Sequence, residues 1–106
     1  MQKSELKGHL DLIVIDSEDN AEEERTHGLQ ILIHGDSAGL KSLGQLLLQL
    51  AELDQKQESG LPVGARTHLH LLPNVDLSKS SSEVIIGRLD AKGTGEFYAR
   101  YASKDQ

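Results

Sequence analysis

Apolar and polar residues along the chain follow two different periods, and the change between them outlines the fold. Leu10–Asp16 (LDLIVID) is β-branched and alternates in part, which predicts a first strand. The polar stretch SEDNAEEERTH connects it to a second strand at 28–34, where Leu29, Ile31 and Ile33 share one face and Gln30, Leu32 and His34 the other. The period then lengthens. Leu40, Leu43, Leu47, Leu50 and Ala51 recur at helical spacing, Leu46 and Leu53 widen the stripe, and Lys41, Gln45, Gln49 and Glu52 take the opposite face. Asp36 stands where a helix N-cap accepts hydrogen bonds from the free amides of the first turn. Gly44 lies within the apolar stripe at a cost of about 1 kcal/mol in helix propensity, which predicts close approach of the helix to a sheet at that point.

Residues 55–66, with Gly60, Pro62 and Gly64, read as the connection that brings the chain back. A third strand is predicted at 67–72, with Thr67, Leu69 and Leu71 on one side and His68, His70 and Leu72 on the other; Pro73 and Asn74 end it. A polar turn containing Ser78, Ser80, Ser81 and Ser82 leads to a fourth strand at 83–89. The expected fold class is therefore α+β: one small domain over 1–106, in ββαββ order, with a mixed four-stranded sheet and one long helix packed on one face. With the helix as crossover, the second and third strands run parallel and each outer pair antiparallel. A helix ~10 Å wide laid over strands ~4.8 Å apart covers about two of them on one side. The other face is left open, and function is to be sought there. Residues 90–106, with Gly93 and Gly95 ahead of Phe97, Tyr98 and Tyr101, are either a docked segment over that face or a mobile tail.

Composition narrows the chemistry. A chain of 106 residues holds one core and excludes large folds. The absence of cysteine removes disulfides, thiolate nucleophiles and cysteine-type zinc sites, and it fits a reducing compartment. A formal net charge of -6 argues against general nucleic-acid binding and suits either a basic partner or solubility. Six of the nine residues at 16–24 are acidic, Glu22, Glu23 and Glu24 among them, which reads as a solvated loop or as an attractor for a basic protein. The apolar run at 10–15 is interrupted by Asp11 and is too short for a signal peptide or membrane span, so the expected location is cytoplasmic, away from membranes.

Three constellations could carry function. Gly35, Asp36, Ser37, Ala38 and Gly39 satisfy the G-x-S-x-G pattern of a hydrolase nucleophile elbow, and Asp54 followed by His68 or His70 has the right order for its partners. No loop able to supply an oxyanion donor precedes Ser37, however, and the chain is short for such a scaffold, so helix capping is the stronger reading. His34, His68 and His70 would converge near Asp36 if strands two and three were neighbours, giving a possible zinc or iron site; the plainer reading is the polar side of an open sheet. That open face would combine Gln30, Leu32, His34, His68, His70 and Leu72, joined by Arg88 or Ile13, a mixture suited to protein recognition. A homodimer burying the same face is a further alternative.

A strand ending in HGDSAGL, the leucine-rich helix LKSLGQLLLQLAEL, a glycine and proline loop, then THLHLLP and a serine-rich turn into EVIIGRLD resemble the Immunity protein 32 family. The resemblance covers about 30–89 and rests on two short signatures, G-D-x-x-G-L and H-x-H, matched here by Asp36 and by His68 and His70. It implies a small α+β cytoplasmic protein of a bacterial polymorphic toxin system that binds and blocks a cognate toxin, without catalysis or a cofactor. Where members often carry an acidic residue after the second histidine, this chain has Leu71 and Leu72 before Pro73.

Overall fold

The two periods fold into β1 (Leu10–Asp16), β2 (Leu29–Gly35), α1 (Ser37–Glu52), β3 (His68–Leu71) and β4 (Val84–Gly87), with a 3-10 turn at Gln55–Gln57 after the helix. The computed structural model describes residues 6–16 and 28–104, so Glu22, Glu23 and Glu24 lie outside the described residues. The fold is α+β, as the patterning predicts. The sheet differs. Each outer pair is antiparallel, Leu10 to Asp16 of β1 facing Gly35 to Leu29 of β2, and His68 to Leu71 of β3 facing Gly87 to Val84 of β4. They form two separate two-stranded sheets, and the expected parallel pairing of β2 with β3 is not made.

The second edge of β1, the one away from β2, is taken by a segment of the chain that is not a strand. The carbonyls of Leu10 and Leu12 accept from the backbone N–H of Ser78 and Ser82, each at 2.8 Å. The N–H of Leu12 donates to the hydroxyl of Ser81 at 3.0 Å. Asp11 holds the same turn by accepting from the hydroxyls of Ser78 and Ser80. An irregular serine segment thus lines the edge of β1, while β2, beside which β3 was expected, has no strand on its other side among the described residues.

The helix starts where predicted, but it meets the rest of the chain at a different glycine. A Cβ on Gly39 would stand 2.1 Å from the His9 carbonyl oxygen, so only glycine lets the first turn of α1 lie against the chain ahead of β1. A Cβ on Gly44 would meet nothing within 4 Å, which corrects the close approach expected there. The helix buries Leu43 against Leu10 and Leu12 but leaves Leu40, Leu47 and Leu48 exposed. The core sits between the start of β1, the middle of α1 and the inner face of the second hairpin: Leu10, Leu12, Leu43, Leu71 and Leu77 are buried, with Leu46, Val84 and Ile86 against them. Burying each such leucine contributes about 2 kcal/mol. Leu71 lies opposite Val84 and Leu69 opposite Ile86, so the side of β3 predicted to carry Leu69 and Leu71 is the one turned inward.

Candidate functional site

The G-D-x-x-G-L segment is a joint. The Asp36 carboxylate accepts from the backbone N–H of Gly39 at 2.8 Å and of His9 at 3.0 Å, capping α1 and fastening it to the residue before β1. These two backbone donors, His9 foremost, hold its carboxyl below the usual carboxylate range. Asp54, the acid a nucleophile elbow at Ser37 would require, caps the turn that follows the helix by accepting from the N–H of Lys56 at 3.1 Å. Capping accounts for both acids.

His68 and His70 project from one face of β3 with ring centroids 5.2 Å apart, edge to face. The His68 Nδ1 lies 3.2 Å from the carbonyl oxygen of Arg66, and the His70 Nδ1 3.2 Å from a Glu83 carboxylate oxygen. Both partners only accept, so each Nδ1 carries the proton, and in the neutral ring each Nε2 is left as an acceptor. His34 does not join them. It lies in the other sheet, opposite Asp11, and borders a depression with His9, Asp36 and Ser78. The expected convergence required β2 and β3 to be neighbours, and they are not. Among the described residues no group of three or more His, Asp or Glu side chains is placed to hold a metal ion.

The single open face is likewise divided. Gln30, Leu32 and His34 share one side of the first hairpin with Ile15, Ile13 and Asp11, whereas His68 and His70 share the outer side of the second with Ile85 and Gly87. A cavity of about 570 Å³ beside the second surface is lined by His68, His70 and Ile85 together with Tyr98 and Arg100 from the C-terminal segment. Arg66 anchors that segment, donating to the Glu96 carbonyl at 2.7 Å with its guanidinium 4.0 Å from the Tyr98 ring centroid. Arg88, expected on the open face, turns to the end of the helix. Its guanidinium donates to the carbonyls of Leu50 and Leu53 at 3.1 and 2.7 Å and pairs with both oxygens of Asp90 at 2.9 and 2.7 Å. The pairing holds the Asp90 carboxyl low and raises the already high Arg88 pKa.

The patterning did not foresee how little the helix covers. The row Leu29, Ile31 and Ile33 does lie on the helix side of the first hairpin, yet these residues are 71%, 70% and 53% exposed and their neighbour Val14 is 47% exposed. Only the end at Leu10 and Leu12 is sealed. Between the uncovered end, α1 and β4 runs a groove of about 470 Å³ lined by Val14, Ile31, Ile33, Leu47, Glu83 and Ile86. The recurrence of Leu29, Ile31 and Ile33 at every second position of β2 was the available signal. It says which face is apolar but not what lies over it.

The backbone of β2 is also open on one side. The N–H of Asp36 donates to the His9 carbonyl at 3.2 Å, while the carbonyls of Leu10 and Leu12 point the other way, to Ser78 and Ser82. Odd-numbered residues of β1 therefore direct their backbone groups at β2, and Gln30, Leu32 and His34 answer them. The N–H and C=O groups of Leu29, Ile31 and Ile33 consequently point outward, along the edge that no strand occupies among the described residues.

No curated protein and no solved structure matches the chain. The family model of Immunity protein 32 matches residues 30–89, a span that contains the Asp36 joint, the whole helix, the histidine strand and the serine turn. With more than half of its length inside that match, the chain belongs to the Immunity protein 32 family.

Proposed function

We propose that this chain is a non-catalytic binding protein that neutralises a cognate bacterial toxin, acting in the cytoplasm as the protective half of a polymorphic toxin system. The observation that carries the reading is the family match over residues 30–89. The mechanism is occlusion. Blocking another protein requires a surface where apolar area is buried beside polar contacts, and this chain has bulky apolar side chains uncovered next to charged ones. Its net charge of -6 and the acidic run at 16–24 favour a basic toxin, whose approach they would steer. No helix among the described residues is long and apolar enough to cross a membrane.

The test is protection. Co-expression with the toxin domain encoded beside its gene is expected to restore growth of cells that the toxin alone kills, and to yield a complex that co-purifies. Continued killing at full expression of the folded chain would remove the reading. Within the complex, replacing Glu22, Glu23 and Glu24 by glutamine is expected to slow association and flatten its salt dependence. An unchanged on-rate would remove the electrostatic part alone.

A further inference from the structure

We infer that the outer edge of β2 is a strand-docking site whose occupant is a basic segment of a partner protein, joining the first hairpin in extended conformation and covering Leu29, Ile31 and Ile33. This rests on the toxin-binding reading and names its surface and the chemistry of what binds there.

Three observations coincide on this edge. First, the outward N–H and C=O groups of Leu29, Ile31 and Ile33 repeat at every second residue, the spacing that an added strand satisfies and a docked helix does not. Second, the side chains of the same residues form a bare apolar row that continues into the groove beside Val14 and Leu47, so a strand laid on the edge would place alternate apolar side chains next to them. Exposed edges are ordinarily blunted by lysine, proline or a bulge. The strand LQILIHG contains neither lysine nor proline, and its register with β1 runs unbroken from Leu29 to Gly35.

Third, the surrounding charge is negative. Glu83 lines the wall of the groove, on a chain of net charge -6. An occupant with lysine or arginine flanking an alternating apolar run is complementary to this edge. A second copy of the chain is not, because it brings the same carboxylates with it.

The probe is a synthetic peptide of about nine residues alternating valine and lysine, with two controls: a permuted peptide of the same composition and an alternating valine and glutamate peptide. Amide exchange of the isotope-labelled full chain is followed by NMR. The valine and lysine peptide is expected to slow exchange at Leu29, Ile31 and Ile33 and to leave Leu32, already bonded to β1, unchanged. Ile31→Lys is expected to weaken the peptide by at least about tenfold. Ile31→Pro removes an N–H that faces the edge and is expected to abolish the effect, while protection at Leu32 reports that the hairpin is intact.

Slowed exchange around His68 and Ile85 instead, equal binding of the glutamate peptide, or no slowing anywhere in β2 would overturn the inference. So would a free chain whose Leu29, Ile31 and Ile33 amides become protected as its concentration rises, with dimer mass in sedimentation, since the occupant would then be a second copy. The two readings separate in the growth assay. A wild-type chain that fails to protect removes the immunity role but leaves the peptide result standing. Protection kept by Ile31→Lys and lost in His68→Ala preserves that role and removes the edge.

Discussion

The two hairpins are held in opposite ways. The first is a regular seven-rung ladder whose stability lies in the backbone, and its apolar face is left half uncovered. The second has strands of only four residues and is bound by polar side chains reaching across the chain. Gln55, 5% exposed, donates to the Asp90 carbonyl and accepts from the Thr67 N–H, both at 2.8 Å. Lys92 donates to the carbonyls of Glu58 and Leu61 at 2.7 and 2.6 Å, and Arg66 and Arg88 tie further carbonyls. Polar residues in the second hairpin are thus largely committed to structure. The apolar row of β2 in the first, Leu29, Ile31 and Ile33, is not committed to a core. A search for function that follows charged and histidine residues is drawn to the second hairpin, whereas the bare apolar row of Leu29, Ile31 and Ile33 belongs to the first.

The largest effect should come from breaking the fastening between the first hairpin and the helix. Gly39→Val places a side chain against the His9 carbonyl and is expected to cost about 3 kcal/mol or more in urea unfolding; a loss below about 1 kcal/mol would show that the joint yields. Gln55→Leu keeps the bulk but leaves the Thr67 N–H and the Asp90 carbonyl unpaired, for a cost of about 2 kcal/mol. Exchange at Thr67 should accelerate while Leu32 in the first hairpin stays protected. Equal acceleration at both positions would mean that the two regions unfold as one. Gly44→Ala, at a helical site with open space around it, is expected to raise stability by about 1 kcal/mol, and a loss would indicate an unseen neighbour.

The smallest effect concerns protons. Asp36, Asp11 and Asp90 all have carboxyls held low, by the His9 and Gly39 amides, by the Ser78 and Ser80 hydroxyls, and by Arg88 respectively. A carboxyl whose folded pKa lies below its unfolded value of about 3.9 contributes stability above that pH and loses it as pH falls through the folded value. Stability should therefore be level near neutrality with respect to these groups and decline below about pH 4. Asp36→Asn, which retains a capping side chain, should make that decline shallower by a small amount, since the group is exposed and screened. An acid limb identical to wild type would assign the decline to Asp11 and Asp90.

Local structure was legible in the residues because local causes produce it. The period of leucines placed α1, Asp36 announced its start, and the alternation of β3 separated Leu69 and Leu71 from the two histidines. Lateral order was not legible. Nothing in LDLIVID says that its second edge will be taken by a serine turn, although Asp11, an acid inside an apolar strand, was a trace of it. A glycine in a helix signals a reason without giving its position, and the close approach fell at Gly39 rather than Gly44. Arg88 resembled a surface residue because the carbonyls it reaches are 35 and 38 positions away in the chain. The family signature G-D-x-x-G-L was legible as a motif, and its physical content, a helix cap welded to His9, emerged only in three dimensions.

The serine turn on β1 also sets an order of assembly. Leu12 and Ser81 are separated by 69 positions, so the seam between them closes late and carries the entropic cost of a long loop. As the chain leaves the ribosome, β1 can zip to β2 early, but its far side stays unsealed until the serines emerge. A nascent chain therefore passes through an interval in which the first hairpin has two unguarded margins, and the arrival of residues 78–82 closes one of them and leaves the other.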